Sequence, residues 1–156
     1  MHIHLITVSS KQKMWEKLAF DDYKARLPSK WRFQFDEINT IRRKKNESTS
    51  NLVKEESKKI LTKIKSNESI IVLDEEGENF TTKELYLKLQ LMSNLNSNLC
   101  FVIGGPDGIS EELKQKSSMN WSLTNLTLPH GLAKIVFIEQ IYRLWTLESH
   151  HPYHRD

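Results

Sequence analysis

Apolar residues fall into short runs or alternations, separated by longer stretches in which they recur every three or four positions. Ile3, Leu5, Ile6 and Val8 form the first run, and Trp15, Leu18, Ala19 and Tyr23 recur at near-helical spacing between Lys11 and Leu27. A strand and then a helix are expected. Pro28 ends the helix, after which Trp31, Phe33, Phe35 and Glu37 alternate with Arg32, Gln34 and Asp36, as in a strand with one wetter face. Leu52 to Lys65 reads as a second helix. Ile70 to Leu73 is a continuous apolar run ending at Asp74, the pattern of a strand covered on both faces. Gly77 reads as a turn, and Thr82 as the cap of a helix from Lys83 to about Ser93. Leu99 to Ile103 is a further buried strand, Ser110 with Glu111 and Glu112 opens a short helix, Trp121 to Leu128 reads as a last strand, and Leu132 to Glu148 as the final helix.

Strands alternating with helices predict an α/β fold, a mainly parallel sheet with helices on both faces. Ligands of such sheets sit beyond the carboxyl ends of the strands, which selects the loops after Leu73, Ile103 and Leu128.

Composition narrows the function classes. The 156 residues are 38% hydrophobic, enough to bury a core as one domain spanning 1–156, and the net charge of +3 suits a polyanionic partner without requiring one. A single cysteine, Cys100, excludes a disulfide framework and is expected to serve packing in a reducing compartment. No apolar stretch approaches the roughly 20 residues of a membrane span, and His2 and His4 break any signal-peptide layout, so no membrane association and a cytoplasmic location are expected. Ile41 to Asn51, with Arg42, Arg43, Lys44 and Lys45 running into polar residues, is the one expected disordered stretch.

Four regions carry candidate chemistry. In Gly104-Gly105-Pro106-Asp107-Gly108 the paired glycines allow close backbone approach to a ligand, yet the spacing is neither the dinucleotide fingerprint nor a Walker loop. Ser122, Thr124, Asn125 and Thr127 precede Pro129-His130-Gly131 and suit recognition of an adenine edge. The final helix is apolar on more than one stripe, which calls for a second covering surface such as a second subunit, and it holds Glu139 and Arg143 one turn apart. The terminal His150-His151-Pro152-Tyr153-His154-Arg155-Asp156 offers an aromatic and an arginine to stack on a base and hold a phosphate; without a matching carboxylate or cysteine set at ligand spacing, no metal is expected.

Taken together, Val102 to Gly108, Trp121-Ser122-Leu123 through Leu126-Thr127-Leu128-Pro129-His130, Glu139 to Arg143 and Pro152-Tyr153-His154-Arg155 closely resemble the RlmH family of large-subunit rRNA pseudouridine N3-methyltransferases, of the SPOUT or trefoil-knot class. The resemblance covers essentially the whole chain. It implies a homodimer with a deep C-terminal trefoil knot, an exception to the rule that chains do not knot. It implies S-adenosylmethionine bound by Leu73, Gly104, Leu123, Thr124, Asn125, Leu126, Thr127 and Leu128. The implied substrate is a pseudouridine in the decoding-centre hairpin of 23S rRNA in the assembled ribosome, held by Tyr153 and Arg155.

Transfer of a methyl group to a ring nitrogen also needs removal of a proton. Glu139, His130 and His154 are the alternative bases, with Arg143 and Arg155 as cationic stabilisers. Three positions depart from the family pattern: Lys134 for arginine, which keeps the charge but loses the bidentate fork suited to a phosphate; Leu144 for alanine; and Ser9-Ser10 for a Val-Gly turn. The competing readings are another knotted enzyme acting on tRNA or rRNA, a non-catalytic ribosome-binding domain, and a flavodoxin-like phosphoacceptor. The last lacks acidic residues after the first strand, where Ser9 and Ser10 stand.

Overall fold

The computed structural model describes residues 1–9, 12–42 and 48–153. Five strands alternate with five helices: β1 (His2–Ser9), α1 (Met14–Arg26), β2 (Arg32–Asn39), α2 (Thr49–Lys63), β3 (Ser69–Asn79), α3 (Thr82–Leu95), β4 (Asn98–Ile103), α4 (Glu111–Lys116), β5 (Met119–Ser122) and α5 (His130–Glu148). The strands form one sheet of order β2-β1-β4-β3-β5, and every pairing in it is parallel. Because successive side chains point to opposite faces, a strand covered twice must be apolar at every position. Ile3, Leu5, Leu99, Phe101, Ile103, Ile71 and Leu73 face a core shared with Phe20 of α1, Leu85 and Leu89 of α3, and Phe137, Ile138 and Ile141 of α5. Ile6, Val8, Val72, Cys100 and Val102 face the other core, with Ile60 of α2 and Leu113 of α4. The expected α/β class, and Cys100 as a buried packing residue, are both observed.

Four local expectations are corrected. Gly77 lies inside β3, which runs on to Asn79 with a shift in its register against β5 between Leu73 and Glu78. A Cβ at Gly77 would stand 2.7 Å from the backbone carbon of Trp121, so glycine here permits close approach of two strands and not a turn. Thr81, not Thr82, caps α3: its hydroxyl accepts from the Glu84 amide while the Glu84 carboxylate accepts from the Thr81 amide at 2.8 Å, a reciprocal box that requires the spacing of three. β5 stops at Ser122. Ser122 donates its hydroxyl to the Thr124 carbonyl at 2.9 Å, and the Leu126 amide donates to Thr124 Oγ1 at 3.2 Å, so local bonds replace the ladder that a strand to Leu128 would need. Finally, α2 starts at Thr49 with Ser48 accepting from the Asn51 amide, and the Ile41 amide donates to Glu56, so both ends of the stretch expected to be disordered are bonded. Arg43 to Glu47 lie outside the described residues.

Lys134, where a phosphate contact was in doubt, is turned into the protein. It is 1% exposed, its ammonium lies 3.5 Å from Glu37 Oε1, and it sits over the rings of Phe20 and Phe35 at 5.3 and 5.4 Å. The charge is directed inward and is not offered to a phosphate. Burial pulls its pKa below the ordinary lysine range, against the opposing pull of Glu37. Lys134→Ala should leave Glu37 short of its cation and cost stability near the lower end of about 3–5 kcal/mol, since Glu37 is one-third exposed. Urea denaturation checks this.

Candidate active site

The irregular middle of β3, where a loop after Leu73 was expected and the strand instead continues, and the loops that follow β4 and β5 meet the first turns of α5 around a groove of about 490 Å³, with a side lobe of about 110 Å³. Both share Leu73, Asp74, Glu75, Ile103, Leu128 and Ala133 as walls. The main lobe adds the turn 104–108, Thr127 and His130; the side lobe adds Ser122, Leu123, Thr124 and Leu126. The volume falls within the range of small-molecule sites, about 300–1,000 Å³. Of the residues expected at the cofactor, Leu73, Gly104, Leu123, Thr124, Leu126, Thr127 and Leu128 line it. Asn125 does not: its side chain accepts from Asn79 at 2.7 Å and pins the loop to β3, as Thr127 does by donating to Glu75 at 3.3 Å.

Apolar walls end in an acidic rim of Asp74, Glu75 and Glu76, met by Lys114, whose ammonium lies 2.5 Å from Asp74. That bond holds the lysine pKa above its ordinary range. Three carboxylates against one ammonium favour a ligand carrying positive charge. Sequence reasoning selected the loops but not Asp74, Glu75 or Ala133, although Asp74 closing an apolar run was the available signal. Gly104 serves the turn itself: a Cβ there would stand 2.5 Å from Ile109 Cγ1 and 2.7 Å from the Gly108 carbonyl oxygen, while Gly108 has φ +87°.

His130 is the titratable group of the groove whose position is most telling. Its Nε2 is buried and has no hydrogen-bond partner among the described residues. Burial holds its pKa below the ordinary imidazole range, with Lys134 adding to the effect; Glu37, Glu16 and a hydrogen bond with the Gly104 backbone oppose it. The ring is therefore neutral near pH 7.

Glu139 and Arg143 stand elsewhere. Arg143 Nε and Nη2 both donate to Glu139 Oε1, at 3.0 and 2.6 Å, and the Tyr153 hydroxyl donates to the same oxygen at 3.2 Å. Gln140 donates to Glu139 Oε2 at 2.7 Å. The Tyr153 ring packs edge-on to Tyr142 at 4.8 Å and under the Arg143 guanidinium at 5.1 Å. Contact with the Tyr23 hydroxyl, then burial, then Glu139 push the Tyr153 pKa up, so its proton stays. At 1.5 Å per residue, Glu139 and Arg143 lie about 9 to 15 Å along α5 from Ala133. The chain thus keeps His130 at the groove and gathers Glu139, Arg143 and Tyr153 at a separate cluster beside α1. His154 and Arg155 lie outside the described residues.

The family model described as "Predicted SPOUT methyltransferase" matches residues 1–154. The chain belongs to the SPOUT methyltransferase family. Full-length relatives point the same way. Proteins called ribosomal RNA large subunit methyltransferase H are 36% identical over 155 residues in Legionella pneumophila, covering 99% of each chain, and 36% and 34% identical over 156 residues in Hydrogenovibrio crunogenus and Thioalkalivibrio sulfidiphilus, covering all of each. For this SPOUT methyltransferase no helix among the described residues is long and apolar enough to cross a membrane.

Gly104→Ala should destabilise the chain by about 1–3 kcal/mol, because its methyl group overpacks a turn with backbone on one side and Ile109 on the other. Thermal unfolding followed by circular dichroism reads this, and a stability equal to the parent would show that the turn has slack.

Proposed function

We propose that this enzyme transfers the methyl group of S-adenosylmethionine to N3 of a pseudouridine in the decoding-centre hairpin of 23S rRNA, on the assembled ribosome and in the cytoplasm, as a homodimer with a C-terminal knot. The observation that carries the reading is the groove, in a chain whose whole length matches rRNA methyltransferases. When bound, S-adenosylmethionine supplies an electrophilic methyl group on a cationic sulfonium. The residues fit that group: apolar walls from Leu73, Ile103 and Leu128 for the adenosine, the backbone of the two loops for the edge of the base, the acidic rim for positive charge, and an orphaned buried nitrogen on His130.

Within this reading the three alternative bases separate. Glu139 Oε1 takes three donated hydrogens and Oε2 a fourth, which suits a carboxylate that positions Arg143 and Tyr153 and not one that accepts a proton from substrate. His130, neutral and with no partner for Nε2 among the described residues, is the group suited to receive the N3 proton. Arg143, Tyr153 and Arg155 hold the RNA. The distance of Arg143 and Tyr153 from the groove within one chain supports completion of the site by the tail of a partner subunit. Exposed Met14, Trp15 and Leu18 on α1 and Leu132 on the adjoining turn of α5 are an apolar patch suited to that interface.

Incubation with S-adenosylmethionine and ribosomes lacking the modification, followed by nucleoside mass spectrometry, should yield N3-methylpseudouridine. No product on any ribosomal RNA despite cofactor binding would overturn the substrate; absence of binding would favour a non-catalytic ribosome-binding role. Tyr153→Ala and Arg155→Ala should abolish transfer with cofactor affinity nearly unchanged, and loss of both together would refute this division of labour.

His130→Asn should lower kcat by about 10²–10⁴-fold. The parental pH profile should be flat near neutrality and fall as pH drops through the depressed His130 pKa, because protonation removes the acceptor. The variant should lack that acid limb.

A further inference from the structure

The end of the sheet opposite the groove holds a second polar cluster. His4 of β1 is register partner to Cys100 of β4, Glu68 immediately precedes β3, and Asp36 lies on β2. His4 is fully buried, and its Nδ1 stands 3.0 and 3.1 Å from the two oxygens of Glu68, whose side chain is 1% exposed. Its Nε2 stands 2.9 Å from Asp36 Oδ2. A ring nitrogen of His4, a Glu68 oxygen and Cys100 Sγ all lie within 4.8 Å of one another.

A neutral imidazole has one N–H. When Asp36 takes it, Nδ1 turns a lone pair toward a carboxylate and a sulfur, and electron pairs converge that only a positive charge can reconcile. A proton on Nδ1 satisfies the carboxylate and leaves the sulfur unused. A divalent ion satisfies all three. Two further features are those of a metal centre. The far nitrogen of the histidine is held by a carboxylate, itself fixed by Gln34 at 2.8 Å and flanked by Lys63 at 3.6 Å, and Glu68 is oriented by the Lys65 amide at 2.9 Å. His2, two residues earlier on the same strand face, has a buried Nδ1 with no hydrogen-bond partner among the described residues. Lys65, Ser66 and Asn67, which immediately precede Glu68, are exposed.

We propose that His4, Glu68 and Cys100 bind a divalent ion of zinc type, with Asp36 orienting His4 and His2 offering a fourth donor. A mixed nitrogen, sulfur and oxygen set suits zinc and excludes magnesium or calcium as the preferred ion. On binding, the Cys100 S–H bond is replaced by an S–metal bond, and the thiol proton, with any proton on Nδ1, passes to the buffer. The ion ties β1, β4 and the start of β3 together at the end away from catalysis, so its role is structural. The expectation of no metal rested on spacing along the chain, and these ligands meet only through the strand order.

The test uses the full chain, stripped with a chelator and titrated with zinc by calorimetry and with cobalt(II) by absorption. One ion per chain is expected, with a thiolate-to-cobalt charge-transfer band in the near ultraviolet and a raised melting temperature. Cys100→Ser, which changes volume little and is checked by an unchanged circular dichroism spectrum without metal, should lose the band and weaken binding more than tenfold. Asp36→Asn should keep the band and bind about 10–100-fold more weakly. A tail variant with His150, His151 and His154 all changed to alanine should bind as the parent does. Failure to saturate at one ion per chain, binding unchanged by Cys100→Ser, or binding lost with the tail histidines would each overturn the site. None of these readouts depends on methyl transfer.

Discussion

A single carboxylate oxygen couples the sheet to the helix that carries the candidate base. Glu37 Oε1, at the end of β2, accepts from Ser9 at the end of β1, from Gln12 before α1 and from Lys134 on the second turn of α5. Lys134 is otherwise enclosed by aromatic rings, so this oxygen is the anion that makes its burial tolerable. Because His130 lies one turn before Lys134, the same interaction bears on where the imidazole meets the groove, while its affinity for a proton is depressed first by burial and then by Lys134, with Glu37 opposing.

That anchor explains how a departure from the family pattern is accommodated. Lysine in place of arginine forfeits a bidentate fork, a loss that matters where a phosphate must be gripped in a plane. In an aromatic box facing one carboxylate oxygen, a compact ammonium suffices. Ser9, another departure, donates to the same oxygen, so two unusual residues act on one acceptor.

The strands were legible because a sheet covered on both faces leaves its mark at every position: Ile70 to Leu73 and Leu99 to Ile103 admit no polar residue. The loops at their carboxyl ends followed from the topology. Less was legible where local hydrogen bonds compete with the ladder. Thr124 and Ser122 resemble strand residues in composition, yet their hydroxyls close a turn; Gly77 resembles a turn residue, yet it marks two backbones in close approach. Glu139 and Arg143 were recognisable as a pair inside an apolar helix, but their separation from His130 along α5 belongs to three dimensions. His4, Asp36, Glu68 and Cys100 carry no spacing signature at all.

The tail's hold on its own helix has a kinetic meaning. Tyr153 is kept against α5 and α1 by one aromatic contact, one guanidinium over its ring and its hydroxyl bonds to Glu139 and Tyr23. Interactions of these kinds contribute about 0.5–1.5 kcal/mol each, together on the order of 3 kcal/mol. On the order of one tail in a hundred is then detached at any instant, and it stays tethered at high effective concentration near whatever surface lies within reach. If Tyr153 holds RNA as proposed, it would be stored in order and released without unfolding, and capture of a nucleotide would begin from a small standing population of open arms.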